Sequence, residues 1–507
     1  MVSLSASIAY WARVEPGHLA IVYEDQRVSY GELHERVNAL SGLLNQRNVR
    51  PGDVVALLMK NSAAFLELTI AIGHVGATIL PLNYRLSRAE VEYILTHAGA
   101  RLVFVDEELA HLADGTDAKV VLDDHSQRES SNLCRGFAGK KPIAPHPCRP
   151  QDLFRLMYTS GTTDRPKGVM HTYSNFHWKN LDHIAVLGLG RDDRILTVGP
   201  LYHVGAFDLP GVALFQVGGT MVVLRDFDPV RVLATIENEK ITCGWMAPVM
   251  LNRTLSCPER GHYELGSLKW IIGGGEKTPE GRIREFTALF KTSRYIDAYG
   301  LTETCSGDTF MEAGREIEKI GSTGRTTPHV RLAICDDEGQ PLAAGVQGEV
   351  CLNGPKVTSG YWRDPGKTQA SFHADGWFRT GDLGYLDEEG FLYLTDRMKD
   401  MIISGGENIA SSEVERVVYQ MPEVAEAAAI GLPDEKWGER VVAVVVLHPG
   451  AELDLDKVQV HCRTQLAGFK VPKQLVCLQS MPRNPSGKIL KRVLRNQLTA
   501  EDRNTNE

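Results

Sequence analysis

The chain has 507 residues, 43% of them hydrophobic and 23% charged, and a formal net charge of −9. This is the balance of a soluble globular enzyme with room for more than one domain; the acidic excess gives no general attraction for nucleic acid or anionic lipid, and no run of about 18 apolar residues is present to span a membrane. The nine Cys fall without a CxxC pair or metal-ligand spacing, and no basic leader precedes the short apolar stretch of MVSLSASIAYWARVEP, so reduced thiols, no zinc site and a cytoplasmic location are expected.

Strand-like apolar runs alternate with helical patterns. Val54–Met59 precedes Ala63–His74, Ile79–Pro81 precedes Ala89–His97, and Leu102–Val105 follows. That rhythm predicts βαβ units and largely parallel sheets, with phosphate-binding loops where strands end. Between Asp114 and Pro150 the sequence turns polar and irregular (DDHSQRESSN, then KKPIAPHPCRP), the mark of a surface connection.

The apolar run Leu153–Met157 leads into YTSGTTDRPKGV, from Tyr158 to Val169. Glycines let a backbone approach a phosphate chain, hydroxyls and N–H groups donate hydrogen bonds to it, and Lys167 supplies a point charge. Lys167 follows Pro166 and precedes Gly168, so this is not the Walker pattern, which has Gly before the Lys and Ser or Thr after it. Taken alone, the segment also reads as a polar surface turn.

From Tyr295 the chain reads YIDAYGLTETCSG. After a short strand, Tyr299 has a ring to lay on a purine, Thr302 a hydroxyl for a phosphate oxygen and Glu303 a carboxylate for Mg2+; Thr302 and Glu303 also suit plain helix capping. In WFRTGDLGYLDEEGFLYLTDRMKD, from Trp377 to Asp400, Asp382 sits in a Gly-flanked turn where it can accept both hydroxyls of a ribose, and Arg397 can reach the same sugar or a phosphate. A compact pattern follows: a helix from Ser412, strands at Val424–Ile430 and Val441–Leu447, and a helix from Leu455, about the size of a small independent domain. The boundary is expected at Asp396/Arg397, dividing the chain into 1–396 and 397–507. Near the end, MPRNPSGKILKR places Lys488 after a Pro/Ser/Gly loop, where a solvated basic tail is the alternative reading.

In this order, and over essentially the whole chain from about Ser29 onward, these segments resemble the adenylate-forming superfamily of acyl-CoA synthetases, peptide-synthetase adenylation domains and firefly luciferase, with the acyl-CoA synthetases nearest. The resemblance implies an α/β fold: a large multi-subdomain N-terminal domain with parallel-rich sheets, carrying the acyl and ATP sites, and a small mobile α+β C-terminal lid. It implies an AMP-forming ligase that makes an acyl-adenylate with release of pyrophosphate. The acyl group then passes to a nucleophile, commonly the thiol of coenzyme A, the lid rotating between the two half-reactions.

By motif, Thr159, Ser160, Gly161, Thr162, Thr163 and Lys167 would hold the β- and γ-phosphates. Asp164 stands where the family usually has Gly, and repulsion from a polyphosphate favours its facing outward. Gly274, Gly275 and Glu276, in IIGGGEKTP, look like the strand end beside adenine and the acyl group, with Asp297, Ala298 and Tyr299 completing the purine slot. Glu303, with Thr159, is similar to the Mg2+ ligands, Thr302 to a phosphate contact, and Asp382 and Arg397 to the ribose contacts. Lys488 resembles the lysine that reaches from the lid to the carboxylate and α-phosphate, a cation where two anions meet. Lys399 occupies the family's hinge position.

PLYHVGAFDLPG, from Pro200 to Gly211, resembles the motif whose aromatic or His residue gates the acyl pocket, so His203 would face the carboxylate during adenylation; a His satisfied within a polar turn is the alternative. Phe207, Val212, Trp245, Met246, Val249, Gly274 and Cys305 are pocket walls by motif position. They are mostly apolar, and Asp208 alone is ambiguous, pointing inward or capping the following turn. An apolar carboxylic acid is expected rather than an amino acid. Trp437, Phe469 and Lys470 resemble the surface on which CoA-using relatives stack the CoA adenine, and Lys473 is placed to meet its phosphates. Against that, Val471 stands where some such relatives carry Arg, and Ala410-Ser411 where Tyr-Pro is frequent, so an amine acceptor stays open. An inactive binding module of the same fold is a further alternative, and the joint presence of Lys167, Glu303, Asp382, Arg397 and Lys488 argues against it.

Overall fold

The structure is a computed structural model that describes residues 3–116, 118–123, 142–159, 166–275, 278, 280–397, 400–404, 407–434, 436–483 and 488–505. Two parallel-rich sheets build the first part. In one, strands Arg294–Tyr299, Trp270–Gly273, Cys243–Met246, Arg194–Thr197, Thr220–Val223 and Leu19–Tyr23 lie parallel in that order, with antiparallel strands at both edges. In the other, Lys119–Asp123, Ala100–Asp106, Val54–Leu58, Thr78–Pro81 and Leu153–Thr159 are parallel, and Lys167–Thr172 closes the edge as the antiparallel half of a hairpin. Strands covered on both faces read as continuous apolar runs, and Val54–Leu58 is buried at every position.

Helix Ala63–His74 ties the two sheets together. All twelve of its residues are buried, and Phe65, Leu68 and Ile72 share one core with Ile21 and Val223 of the first sheet and Val55, Leu57 and Phe104 of the second. A helix apolar on every side belongs between layers. Ser62 starts it by accepting a hydrogen bond from the Phe65 N–H, which satisfies one of the donors left open at a helix N-terminus.

The runs expected before Asp106 fall within one or two residues of the observed elements, whereas the strands expected at Val424–Ile430 and Val441–Leu447 extend to Val424–Asp434 and Gly438–Leu447. One strand departs from the reading: Lys119–Asp123, inside the stretch taken as a surface connection, pairs in parallel with Ala100–Asp106. It is only five residues long and runs into a polar stretch, so its β signal is diluted in any longer window.

A four-stranded antiparallel sheet follows, in the order Arg331–Cys335, Gly348–Asn353, Phe378–Leu386, Leu392–Arg397. Beyond it, Val424–Asp434 and Gly438–Leu447 form a long antiparallel hairpin, joined in parallel by Gln474–Cys477. Alternate residues of that hairpin feed two cores: Ala427, Ala429 and Val441 pack with Val414, Val417 and Val458 of helices Ser411–Val418 and Leu455–Arg463, while Ala428, Ile430 and Val442 pack with Leu494 and Leu498 of helix Lys491–Thr505. The C-terminal segment therefore has hydrophobic cores of its own, as a separately moving unit needs. Among the described residues no helix is long and apolar enough to cross a membrane.

Candidate active site

Thr159, Gly274, Tyr299 and Glu303 stand at or just beyond the ends of parallel strands, the usual place for a ligand in an α/β sheet, whereas Asp382 and Arg397 lie in the antiparallel sheet. Thr159 and Lys167 are register partners across the hairpin and stand at the mouth of its loop; Ser160, Gly161, Thr162, Thr163 and Asp164 lie outside the described residues. The Lys167 ammonium is 2.9 Å from Glu303 Oε1 and 2.8 Å from the Tyr361 hydroxyl, which itself donates to Glu303 at 2.9 Å. The Thr159 hydroxyl is buried and has no partner among the described residues. An ammonium for phosphate oxygens beside a carboxylate and an unclaimed hydroxyl, both hard oxygen ligands, is a donor set that fits a polyphosphate with its divalent cation.

Glu303 stands in the 3-10 turn Thr302–Thr304, not at the cap of a longer helix. The chain leaves that turn through Cys305 and Ser306 at φ +57° and +69°, a left-handed conformation that costs non-glycine residues about 1–2 kcal/mol each. Fully buried Lys356 clamps it, donating to the Ser306 and Gly307 carbonyls at 3.0 and 2.5 Å and pairing with Asp308 at 3.1 Å. On the other side His171 contacts the Thr302 carbonyl through Nε2 at 2.6 Å, while its Nδ1 accepts from Arg155 at 2.9 and 3.1 Å. Because guanidinium only donates, the imidazole proton is on Nε2. Burial, then the charge of Arg155, pushes His171 down to about 3, so the ring is neutral.

Arg155 is the centre of a buried network that the sequence reading overlooked. It sits in the middle of Leu153–Thr159, is 1% exposed, and pairs with Asp208 at 2.6 Å. Lys179 reaches the other Asp208 oxygen at 3.2 Å, and His183 contacts the Asp208 carbonyl at 2.8 Å. Burial alone would raise the Asp208 carboxyl, but Arg155 and Lys179 outweigh it and hold it below the ordinary range; burial brings Lys179 down to about 8. Asp208 therefore points inward and caps nothing. Its charge is taken up by two cations, so Asp208 is not free to receive the ammonium of an amino-acid substrate.

Asp208 ends the short helix Val204–Asp208, and His203 begins it, its Nδ1 accepting from the Gly205 N–H at 3.0 Å. Burial pushes His203 down to about 4, again a neutral ring, and it stacks on Trp245 with centroids 6.2 Å apart. Phe207, Val212, Trp245 and the partly buried Val249 belong to one core, and Gly274 lies against Trp245. Phe207 turns its ring to Arg155, 4.8 Å away, and so insulates the charged network. Cys305 is fully buried, its thiol pushed up to about 12 by burial and then by Asp208. Met246 is not a wall with Trp245: it follows it on a strand, so its side chain leaves the opposite face and packs with Leu196, Leu251 and Ile271 in a separate core.

Asp382 and Arg397 are register partners on adjacent strands, paired at 3.0 Å, and Tyr299 donates its hydroxyl to Asp382 at 2.8 Å. Asp382 is not in a turn, as its flanking glycines suggested, but within the strand Phe378–Leu386 at a shift of register, where Glu349 accepts from the Gly381 N–H at 3.0 Å. The Tyr299 ring is 7% exposed and packs with Val330, Val350 and Leu392. Little of it remains for a purine to stack on, and its first task is to hold Asp382. Asp297 and Ala298 are buried on the same strand. Gly275 has φ +95°, which favours glycine, and open space where a Cβ would stand; Glu276 lies outside the described residues.

On the lid, Trp437 and Phe469 are exposed large aromatics, with Lys436 4.8 Å and Lys470 5.7 Å from their ring centres. Lys470 is paired with Glu413 at 2.7 Å, whereas Lys473 is exposed. Val471 is 1% exposed and part of the lid core, so the absence of Arg at that position says nothing about the surface beside it. Ala410 caps helix Ser411–Val418, whose first residue bonds Asp396 through both its N–H and its hydroxyl. Lys399 lies outside the described residues, and Lys488 is half-buried beside the bridge between Arg483 and Ile489. Arg483, Glu426, Tyr419 and His448 of the lid face Asn252, Arg253 and Arg282 of the larger part across a cleft of about 230 Å³.

A family model described as AMP-binding enzyme matches residues 8–362, and one described as AMP-binding enzyme C-terminal domain matches 413–488. The chain is 36% identical over 481 residues to the long-chain-fatty-acid-CoA ligase FadD13 of Mycobacterium tuberculosis, covering 94% of both. It is 36% identical over 485 residues to a feruloyl-CoA synthase of Amycolatopsis sp, covering 95% of this chain and 96% of that one. Among solved structures, the o-succinylbenzoate CoA synthetase MenE of Bacillus subtilis with its acyl-adenylate superposes with a TM-score of 0.85 at 32% identity, covering 97% of each chain.

Proposed function

The chain belongs to the AMP-binding enzyme family, and from that premise we propose that it is an ATP-dependent acid–thiol ligase that activates an apolar carboxylic acid as its acyl-adenylate and transfers the acyl group to coenzyme A. The observation that carries the reading is the joint placement of Lys167, Glu303 and the unclaimed Thr159 hydroxyl at one loop mouth, with Asp382, Arg397 and Tyr299 forming a second polar cluster.

In the first step the substrate carboxylate attacks the α-phosphate of ATP and pyrophosphate leaves. Lys167 and the hydroxyl-rich loop hold the departing phosphates, and Asp382 takes the ribose hydroxyls. Glu303 and Thr159 would hold Mg2+, which when bound neutralises phosphate charge. His203, neutral at pH 7, sits at the gate of the acyl pocket without adding repulsion or attraction of its own. Lys488 arrives from the lid to stabilise charge between the two anions. In the second step the lid, hinged near Lys399 at the boundary 396/397, turns to admit the thiol, with Trp437, Phe469 and Lys473 as the surface for the CoA nucleotide.

The three relatives described above support CoA as acceptor, since each of those is named for it. The burial of Asp208 against Arg155 and Lys179 supports an acid without an amino group. The direct test is to offer a panel of carboxylic acids with Mg-ATP and CoA, to follow pyrophosphate release, and to weigh the product.

A further inference from the structure

Trp245 lies in a seat made of glycines. A Cβ at Gly199 would stand 2.4 Å from its Cζ3, and one at Gly205 would stand 2.5 Å from its Cζ2. Neither glycine has a positive φ, so the backbone does not ask for glycine at either place; the indole does. A third glycine, Gly274, faces the indole nitrogen, 3.7 Å from where its Cβ would be. The indole is 4% exposed and lies directly behind His203. Its strand places it with Phe207, Leu209 and Val212 and not with Met246.

Side chains of ordinary size at Gly199 and Gly205 would push the ring out, and a small residue at 245 would leave those glycines lining an empty channel. Gly199 and Gly205, six residues apart in one segment, thus leave a single volume to the large rigid ring carried by the strand Cys243–Met246, and that volume begins beside His203.

We propose that Trp245 is the end wall of the acyl pocket and makes this enzyme selective for compact carboxylic acids, short-chain or single-ring, against long unbranched ones. The inference rests on the activation chemistry proposed above and names its substrate class. A hydrophobic wall discriminates by about 10–200-fold per methylene that it must reject or leave unfilled, so an acid several carbons too long is excluded.

The indole N–H has no acceptor among the described residues, so shortening this side chain breaks no hydrogen bond to any of them. That makes Trp245→Leu and Trp245→Ala usable tests, with unfolding midpoints and lid-independent ATP binding as controls for folding. Acid-dependent pyrophosphate release is measured for straight-chain acids of increasing length and for benzoic- and phenylacetic-type acids. The wild type should favour acids of up to about one ring's length, and both variants should shift kcat/KM toward longer chains by at least tenfold, mainly through KM. If the wild type uses long chains as well as short ones, or if neither variant shifts the length profile, the wall is elsewhere. If no acid releases pyrophosphate in any of the three proteins, the activation reading fails instead.

Discussion

His171 donates its Nε2 proton to the carbonyl of Thr302 at 2.6 Å, and in doing so it joins the strand that begins with Lys167 to the turn that carries Glu303. Arg155 holds the other face of the ring and is itself held by Asp208. One buried chain of contacts therefore links the strands Leu153–Thr159 and Lys167–Thr172, the Glu303 turn and the helix Val204–Asp208.

His171→Asn tests that chain, because Asn keeps an acceptor near Nδ1 for Arg155 and removes the donor to Thr302. Orphaning a buried carbonyl costs about 1–3 kcal/mol. The KM for Mg-ATP in pyrophosphate release should rise roughly tenfold or more, while transfer from supplied acyl-adenylate changes little. An unchanged Mg-ATP dependence would detach His171 from the Glu303 turn.

Glu303→Gln keeps the shape of the side chain and removes its charge. The Lys167–Glu303 pair is partly solvated, with 21% and 11% of the side chains exposed, so its loss should cost at most about 1 kcal/mol of stability. Adenylation should fall by roughly two to three powers of ten, and the Mg2+ concentration for half-maximal rate should rise. Full activity at ordinary Mg2+ would remove Glu303 from the metal site.

Stability should fall as pH drops from about 6.5 towards 4. His171 and His203 are held neutral down to about 3 and 4, and His183 also lies well below its usual value, all chiefly through burial. The unfolded chain takes up protons near pH 6.5 that the folded chain refuses, so stability rises with pH through this window and is fully present above it. Each such group contributes up to about 1.4 kcal/mol per pH unit. Urea unfolding at pH 7, 6 and 5 should show a steep decline, shallower in His171→Asn; equal midpoints at the three values would mean these rings protonate in the native state.

Much of this was legible in the chain. The hydroxyl-rich segment after Thr159, the YGLTE turn and the TGD triplet announce themselves through Gly, Thr and acidic residues at short spacings; the first two follow strand ends, whereas the triplet lies within the strand Phe378–Leu386. What escaped is long-range pairing. Arg155 and Asp208 are 53 residues apart, and His171 and Thr302 131 apart, so no local window relates them. A signal did exist: Arg155 interrupts the apolar strand LFRLMY, and a charge at such a position predicts a buried partner. The same limit hid the side that Met246 faces, since two apolar neighbours on a strand look alike in sequence and diverge only when the sheet has cores on both faces.

Lys488→Ala should slow acid-dependent pyrophosphate release by roughly two to three powers of ten, the scale for one preorganised electrostatic contact, and should spare transfer from preformed acyl-adenylate. Lys399→Pro should do the reverse by hindering rotation at the hinge. Equal losses in both half-reactions for Lys488→Ala would mean that it does not serve one lid orientation alone.

The central claim is tested most directly by the product itself. The purified protein is incubated with Mg-ATP, a panel of compact carboxylic acids and CoA, or with amino acids in place of CoA, and the acyl species are identified by mass. Acid-dependent pyrophosphate and AMP with an acyl-CoA thioester is the predicted outcome. A stable amide formed efficiently without CoA would overturn the acceptor, and absence of acid-dependent pyrophosphate across the panel would contradict the account as a whole.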